Sequence, residues 1–161
     1  DVESLFVAAA ARNHERMEAL RGPWEITGTL DERLASFLAR RRRIYEEGAQ
    51  VRRAALVQEP FSPVLQRALG LARLAGRAEI ERVFADELAA VAASGRARLR
   101  AELEVVSSSA SWETLRQHQG HPPDEAEAMV DELVRAVLRA HDLPVPARDK
   151  APPTASPGPP G

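Results

Sequence analysis

Four consecutive arginines, Arg40 to Arg43, stand in the stretch LARRRRIYEEG. Guanidinium groups can neutralise phosphates, fork onto carboxylates or hold an anionic ligand. Which of these is open to them depends on direction. Helix formers dominate this stretch, and on a helix successive residues turn by about 100°. The four arginines therefore diverge. The apolar stripe of this helix is Leu30, Leu34, Phe37, Leu38, Ile44, Tyr45, Gly48 and Ala55. Arg41 sits in the middle of the stripe, Arg43 lies opposite it, and Arg40 and Arg42 flank it. The run is thus one inward charge, one outward charge and two snorkelling edges, not a basic patch. An inward guanidinium is costly unless something meets it. Glu102 or Glu104 on another helix could do so, and so could an acidic small molecule.

Other reactive pairs are weaker. His14 and Glu18 have i, i+4 spacing, and His118 with His121 could be read as metal ligands. The second pair sits at a helix end with no convergent acid, and no metal site is expected. The chain has no cysteine, which removes disulfides and thiolate metal sites. Glu46-Glu47 and Asp86-Glu87 are ordinary helix-surface carboxylates with no acid/base signal. There is no Gly-rich phosphate loop. Trp24, in GPWEITG, could cap a pocket or simply cover core. These observations lead to the expectation of a non-enzyme without a cofactor.

The 161 residues amount to about one domain and carry a formal net charge of −2. A nucleic-acid-binding module normally has a basic excess, and this chain lacks one. No apolar run approaches the roughly 20 residues of a membrane span, and no signal-peptide pattern opens the chain. A cytoplasmic protein is expected. All but one of the 22 Lys and Arg residues are Arg, a bias that fits GC-rich bacterial coding.

Six helices should position these residues in an all-α bundle over 1–142. The first runs to about Arg21, with Val2, Leu5, Phe6, Ala9, Asn13, Met17 and Leu20 on one face, and Gly22-Pro23 stops it. The second begins at Thr29, whose spacing to Glu32 is that of a capping box, and continues to about Gln58. Ser62-Pro63 caps a short third helix ending near Leu74. A fourth covers roughly 77–92, Ser94-Gly95 punctuates, a fifth runs to Gln119, and GHPPDE then stops it and starts a sixth that ends near His141. The Pro-rich remainder, 143–161, has too little apolar bulk to offset ordering entropy and reads as a disordered tail.

The fifth helix is apolar on two sides: Leu99, Leu103, Val106 and Ala110 on one, Val105, Ser108, Trp112 and Leu115 on the other. The sixth is broad as well, with Met129, Val130, Leu133, Val134, Val137 and Leu138. Surplus apolar surface on neighbouring helices suggests a homodimer through a four-helix seam. Its candidate residues are Val105, Ser108, Trp112, Leu115, Met129, Leu133 and Val137.

The segment Ala97 to Ala140, with Ser108, Ser109, Trp112, Glu113, Leu115 and Arg116 followed by Gly120 to Ala126, resembles the C-terminal helical pair of the TetR/AcrR family of bacterial transcriptional regulators. DVESLFVAAA, RRAALVQEPFSPVLQRAL and IERVFADEL are similar to earlier segments of that family, so the resemblance spans nearly all of 1–142. It implies the sensor and dimerisation domain of a regulator, a repressor when full length, of the TetR C-terminal-domain fold. The family's helix-turn-helix has no counterpart in this chain, so DNA would be bound only through that missing module. The resemblance also implies an effector cavity. Inward polar or aromatic positions make Asn13, Met17, Phe37, Arg41, Tyr45, Phe84, Glu104 and Val105 its candidate lining. The alternative reading is a helical protein-interaction module without a small-molecule ligand.

Overall fold

The computed structural model describes Ala8, Ala9, Arg12, Glu15, Arg16, Ala19 and Gly22, and then residues 24–146. Among these residues the secondary structure is entirely helical. The elements are α1 (Leu30–Gln58), a 3-10 turn (Glu59–Phe61), α2 (Pro63–Val83), α3 (Ala85–Ala90), α4 (Ala93–Val106), α5 (Ser109–Glu113), a π turn (Thr114–His118) and α6 (Pro123–Ala140). The described positions from Ala8 to Ala19 are helical too, and Arg16 pairs with Glu47 of α1 at 3.3 Å. Asn13 and Met17 lie outside the described residues.

Local chemistry sets several boundaries where the sequence places them. Thr29 accepts from the Glu32 amide while the Glu32 carboxylate accepts from the Thr29 amide, a complete capping box at the start of α1. Ser62 caps α2, with Pro63 at its first position. Gly120, at φ 78°, ends the segment before α6 in a left-handed conformation that glycine adopts without cost.

Two expected boundaries move. The third and fourth helices are expected to part between Leu74 and Arg77, but α2 runs through Gly76 without interruption to Val83. A glycine inside a helix costs about 1 kcal/mol, too little to break one that packing favours. The chain bends instead at Phe84 (φ −107°, ψ 29°), which leaves Ile80, Val83 and Phe84 all fully buried. The expected fifth helix is divided at Ser107 into α4 and α5, and its last turn is widened to π geometry.

The long α1 is the centre of the packing. It lies against α2 and α6, and α4 lies against α2, α3 and α6. Leu34 and Phe37 of α1 have no exposed surface; they meet Ile80, Phe84, Leu99, Leu103, Val134 and Leu138 in one core. Phe37 and Phe84 contact edge to face, with centroids 5.7 Å apart. Leu143, at the start of the expected tail, is buried, and Val145 packs beside the same core, so packing continues past α6. No helix among the described residues is long and apolar enough to cross a membrane.

Because Phe37 is fully buried against Phe84 and Trp24, Phe37→Ala should cost about 3–5 kcal/mol of unfolding free energy. Gln50→Ala, at an exposed position of α1, should change it by less than about 0.5 kcal/mol. Urea denaturation followed by circular dichroism measures both.

Candidate functional site

The arginine run is arranged as its helical phase requires. Arg41 is only 6% exposed, Arg43 is exposed, and Arg40 and Arg42 are half-buried. Arg40 donates to Glu79 at 3.3 Å and lies 5.0 Å over the Trp24 ring. Arg42 reaches across to α6, where it pairs with Asp124 and with Glu127. Trp24 stacks on Phe37 and donates to the Ser36 hydroxyl at 2.8 Å, so it covers the core from the loop before α1.

Arg41 is met by backbone, not by Glu102 or Glu104. One terminal nitrogen donates to the Ser107 carbonyl at 2.6 Å and to the Tyr45 hydroxyl at 2.8 Å; the other donates to the Gly76 carbonyl at 2.9 Å. The Tyr45 hydroxyl donates a hydrogen bond to the same Ser107 carbonyl at 3.0 Å. The guanidinium also lies 4.4 Å over the Phe37 ring, a cation–π contact in a dry setting. The nearest carboxylate is Glu79, at 4.0 Å. Glu104 instead pairs with Arg77, and Glu102 with Arg98 and His141. The expected counter-ions sit on the outer side of α4, whereas Ser107 ends that helix with a carbonyl turned inward. Burial pushes the Tyr45 phenol up, opposed by Arg41 and Arg52 beside it.

Four of the eight ligand candidates are therefore brought together: Phe37, Arg41, Tyr45 and Phe84. Glu104 and Val105 are elsewhere, Val105 being 65% exposed. Of the association candidates, Trp112 and Leu115 are buried within the chain itself. Ser108 caps α5 through the Ser111 amide. Met129 and Val137 are half-buried and packed on the core, and Leu133 is 45% exposed. The break at Ser107 causes this: it turns the face bearing Trp112 and Leu115 toward α1.

Chemically, the cluster presents guanidinium and phenol donors that can hold an acceptor. The Ser107 hydroxyl donates to the Leu103 carbonyl at 2.6 Å. The Arg41 Nε is buried without a hydrogen-bond partner. Among the described residues no group of three His, Asp or Glu side chains could hold a metal ion; His121 pairs with Glu125 at 3.1 Å. A groove of about 200 Å³ runs between α1 and α6, lined by Leu38, Arg42, Asp124, Glu127 and Asp131 among others, and it includes none of the ligand candidates.

Two parts of this arrangement are missing from the sequence reading. Arg33 is buried as well, donating to the Val83 carbonyl and by two bonds to Glu87 at 3.0 and 2.7 Å. The i, i+4 ladder Arg33, Phe37, Arg41, Tyr45 was the available signal. The Ser107 and Gly76 carbonyls had none, because every residue has a carbonyl.

No family model matches the chain, and no curated protein and no solved structure matches it.

Beyond the break, Glu46 of α1 holds the π turn. It accepts from the Trp112 indole at 2.8 Å and from Arg116 at 2.8 and 3.1 Å. The Arg116 guanidinium, then the Trp112 bond, holds the Glu46 carboxyl below its ordinary value against the effect of burial. A carboxylate lowered in the folded state stabilises fully above its unfolded value of about 4.3 and loses that contribution as pH falls through the lower folded value. Glu46→Gln should therefore lower stability at pH 7 and flatten its fall below about pH 4.3. Denaturant midpoints measured from pH 7 to pH 3 test this; parallel curves for the two proteins would refute it.

Proposed function

We propose that this chain is the effector-sensing and dimerising part of a TetR-like transcriptional regulator. The observation that carries the reading is the convergence of Phe37, Arg41, Tyr45 and Phe84 on one interior cluster, with a buried guanidinium whose Nε is unbonded. Ligand sites are typically apolar with a few convergent polar groups. An effector bearing a carboxylate or carbonyl would compete for Arg41. It could shift the balance between two arrangements of the bundle only by its difference in affinity for them. In this reading the first helix carries that change to a helix-turn-helix module outside the chain, in the cytoplasm of a bacterium, and represses transcription. Dimerisation would use Leu133, with Met129 and Val137 beside it on α6, and Val105 of α4.

One observation favours the alternative, a protein-interaction module. The turn between α1 and α2 exposes Val57 at 68%, Phe61 at 82% and Val64 at 50%. Large apolar side chains left clustered at a surface mark partner sites in many proteins.

Sedimentation equilibrium tests the association. The chain should be a dimer at roughly tens of micromolar, the range where a specific seam of ordinary size holds. Leu133→Asp should shift it to monomer, and Arg82→Glu should not. A wild-type monomer at that concentration would refute the seam. The sensing half is tested by thermal shift against a panel of small carboxylic acids. A hit whose stabilisation disappears in Arg41→Met, with the fold retained, supports the sensor. Stabilisation by no acid, together with loss of a binding partner in Phe61→Ser, would favour the interaction module.

This chain should show no sequence-selective DNA binding. Its charge is −2, and Arg40, Arg41 and Arg42 are engaged by its own carboxylates and carbonyls. Fluorescence anisotropy at about 0.15 M salt, where weak charge contacts are screened, should stay flat.

A further inference from the structure

The chain from Ala93 to His118 is sequence-competent to be one helix, and it is not one. It breaks at Ser107 (φ −101°, ψ 12°) and Ser108 (φ −73°, ψ 161°). No proline or glycine lies at the break. In a straight helix the Ser107 carbonyl would accept from the Ser111 amide. Here that amide bonds the Ser108 hydroxyl at 3.1 Å, and the Ser111 hydroxyl donates to the Val105 carbonyl at 2.6 Å. The serines thus satisfy locally what the break releases. The freed Ser107 carbonyl is taken by two side chains of α1, Arg41 and Tyr45.

We propose that Ser107 is a latched hinge: with Arg41 and Tyr45 on its carbonyl the chain is kinked, and when they are withdrawn α4 and α5 join into one straight helix. The two forms present different surfaces. In the kinked form Trp112 and Leu115 are buried against the chain's own core. In a straight helix they share a face with Val105 and Ser108, since residues three and four apart are neighbours there. The latch therefore decides whether two large apolar side chains belong to the interior or to an outward face. The hinge stands whether or not the chain senses a ligand. If it does, any acceptor that captures Arg41 opens the latch.

The absence of cysteine allows spin labels to be placed at Ala97→Cys and Gln117→Cys, both exposed positions on either side of the break. A straight helix would set their backbones about 30 Å apart, from a rise of about 1.5 Å per residue. Electron–electron double resonance on the otherwise unaltered chain should give a single, shorter distance. Arg41→Met with Tyr45→Phe should add a longer population near the straight-helix value. Adding Ser109→Pro should remove it. Proline suits the first position of α5, and the extended Ser108 before it is what proline prefers, but it cannot stand inside a continuous helix. A distance unchanged in the double variant overturns the hinge, as does a long population that survives Ser109→Pro. Should the double variant lose its helical circular dichroism, Tyr45→Phe alone is measured. A minor long population is then expected, and its absence is equally decisive against the hinge.

Discussion

The buried guanidinium of Arg41 is the constraint on which the rest of the bundle depends. A charge removed from water is costly unless its donors are met, and here the two terminal nitrogens are met by the Ser107 and Gly76 carbonyls and the Tyr45 hydroxyl, while Nε is not. The Ser107 carbonyl ends α4 turned inward, away from water, and Arg41 with Tyr45 supplies its donors, whereas the Gly76 carbonyl lies within α2. One side chain of α1 therefore fixes where α2 passes and where α4 ends.

The same device recurs, which gives the arginine bias a structural use. Arg33 takes the Val83 carbonyl at the end of α2 and Arg96 the Leu88 carbonyl near the end of α3 at 2.9 Å, while Arg116 takes the His121 carbonyl in the loop before α6. Helix C-termini concentrate unpaired carbonyls and partial negative charge. A planar guanidinium reaches two or three acceptors in fixed directions, which a lysine ammonium on a flexible stem does less well. Several of these cations also carry a carboxylate, as Arg33 does with Glu87 and Arg116 with Glu46. Charge-assisted bonds thus add to glycine and proline in holding the helix ends, since Gly120 and Pro122 lie at the break that Arg116 spans.

This arrangement also governs what the surface offers. The kink at Ser107 uses Trp112 and Leu115 inside the chain and leaves Val105 and Leu133 outside. The two apolar faces counted along the expected fifth helix therefore do not translate into two interfaces. One of them is absorbed by the chain's own core, and further exposed apolar residues lie elsewhere, among them Val57, Phe61 and Val64 around the turn between α1 and α2 and Leu71 and Leu74 on α2.

The sequence by itself determined what short-range physics determines. Helical periodicity placed Arg41 inward and Arg43 outward. Side-chain capping at Thr29 and Ser62 began α1 and α2, and Gly120 closed the segment before α6. These depend on neighbours within about one turn, which the sequence displays. Tertiary structure decided the rest. Gly76 stayed helical and Phe84 did not, because a core that buries Val83, Phe84 and Leu88 together outweighs a glycine's modest preference. Three consecutive serines made a break near Ser107 possible, with Ser108 capping α5, and Arg41 and Tyr45, 66 and 62 positions away, took the carbonyl it released. A carbonyl carries no residue-type signal, so an arginine's need for a partner was legible while the partner itself was not.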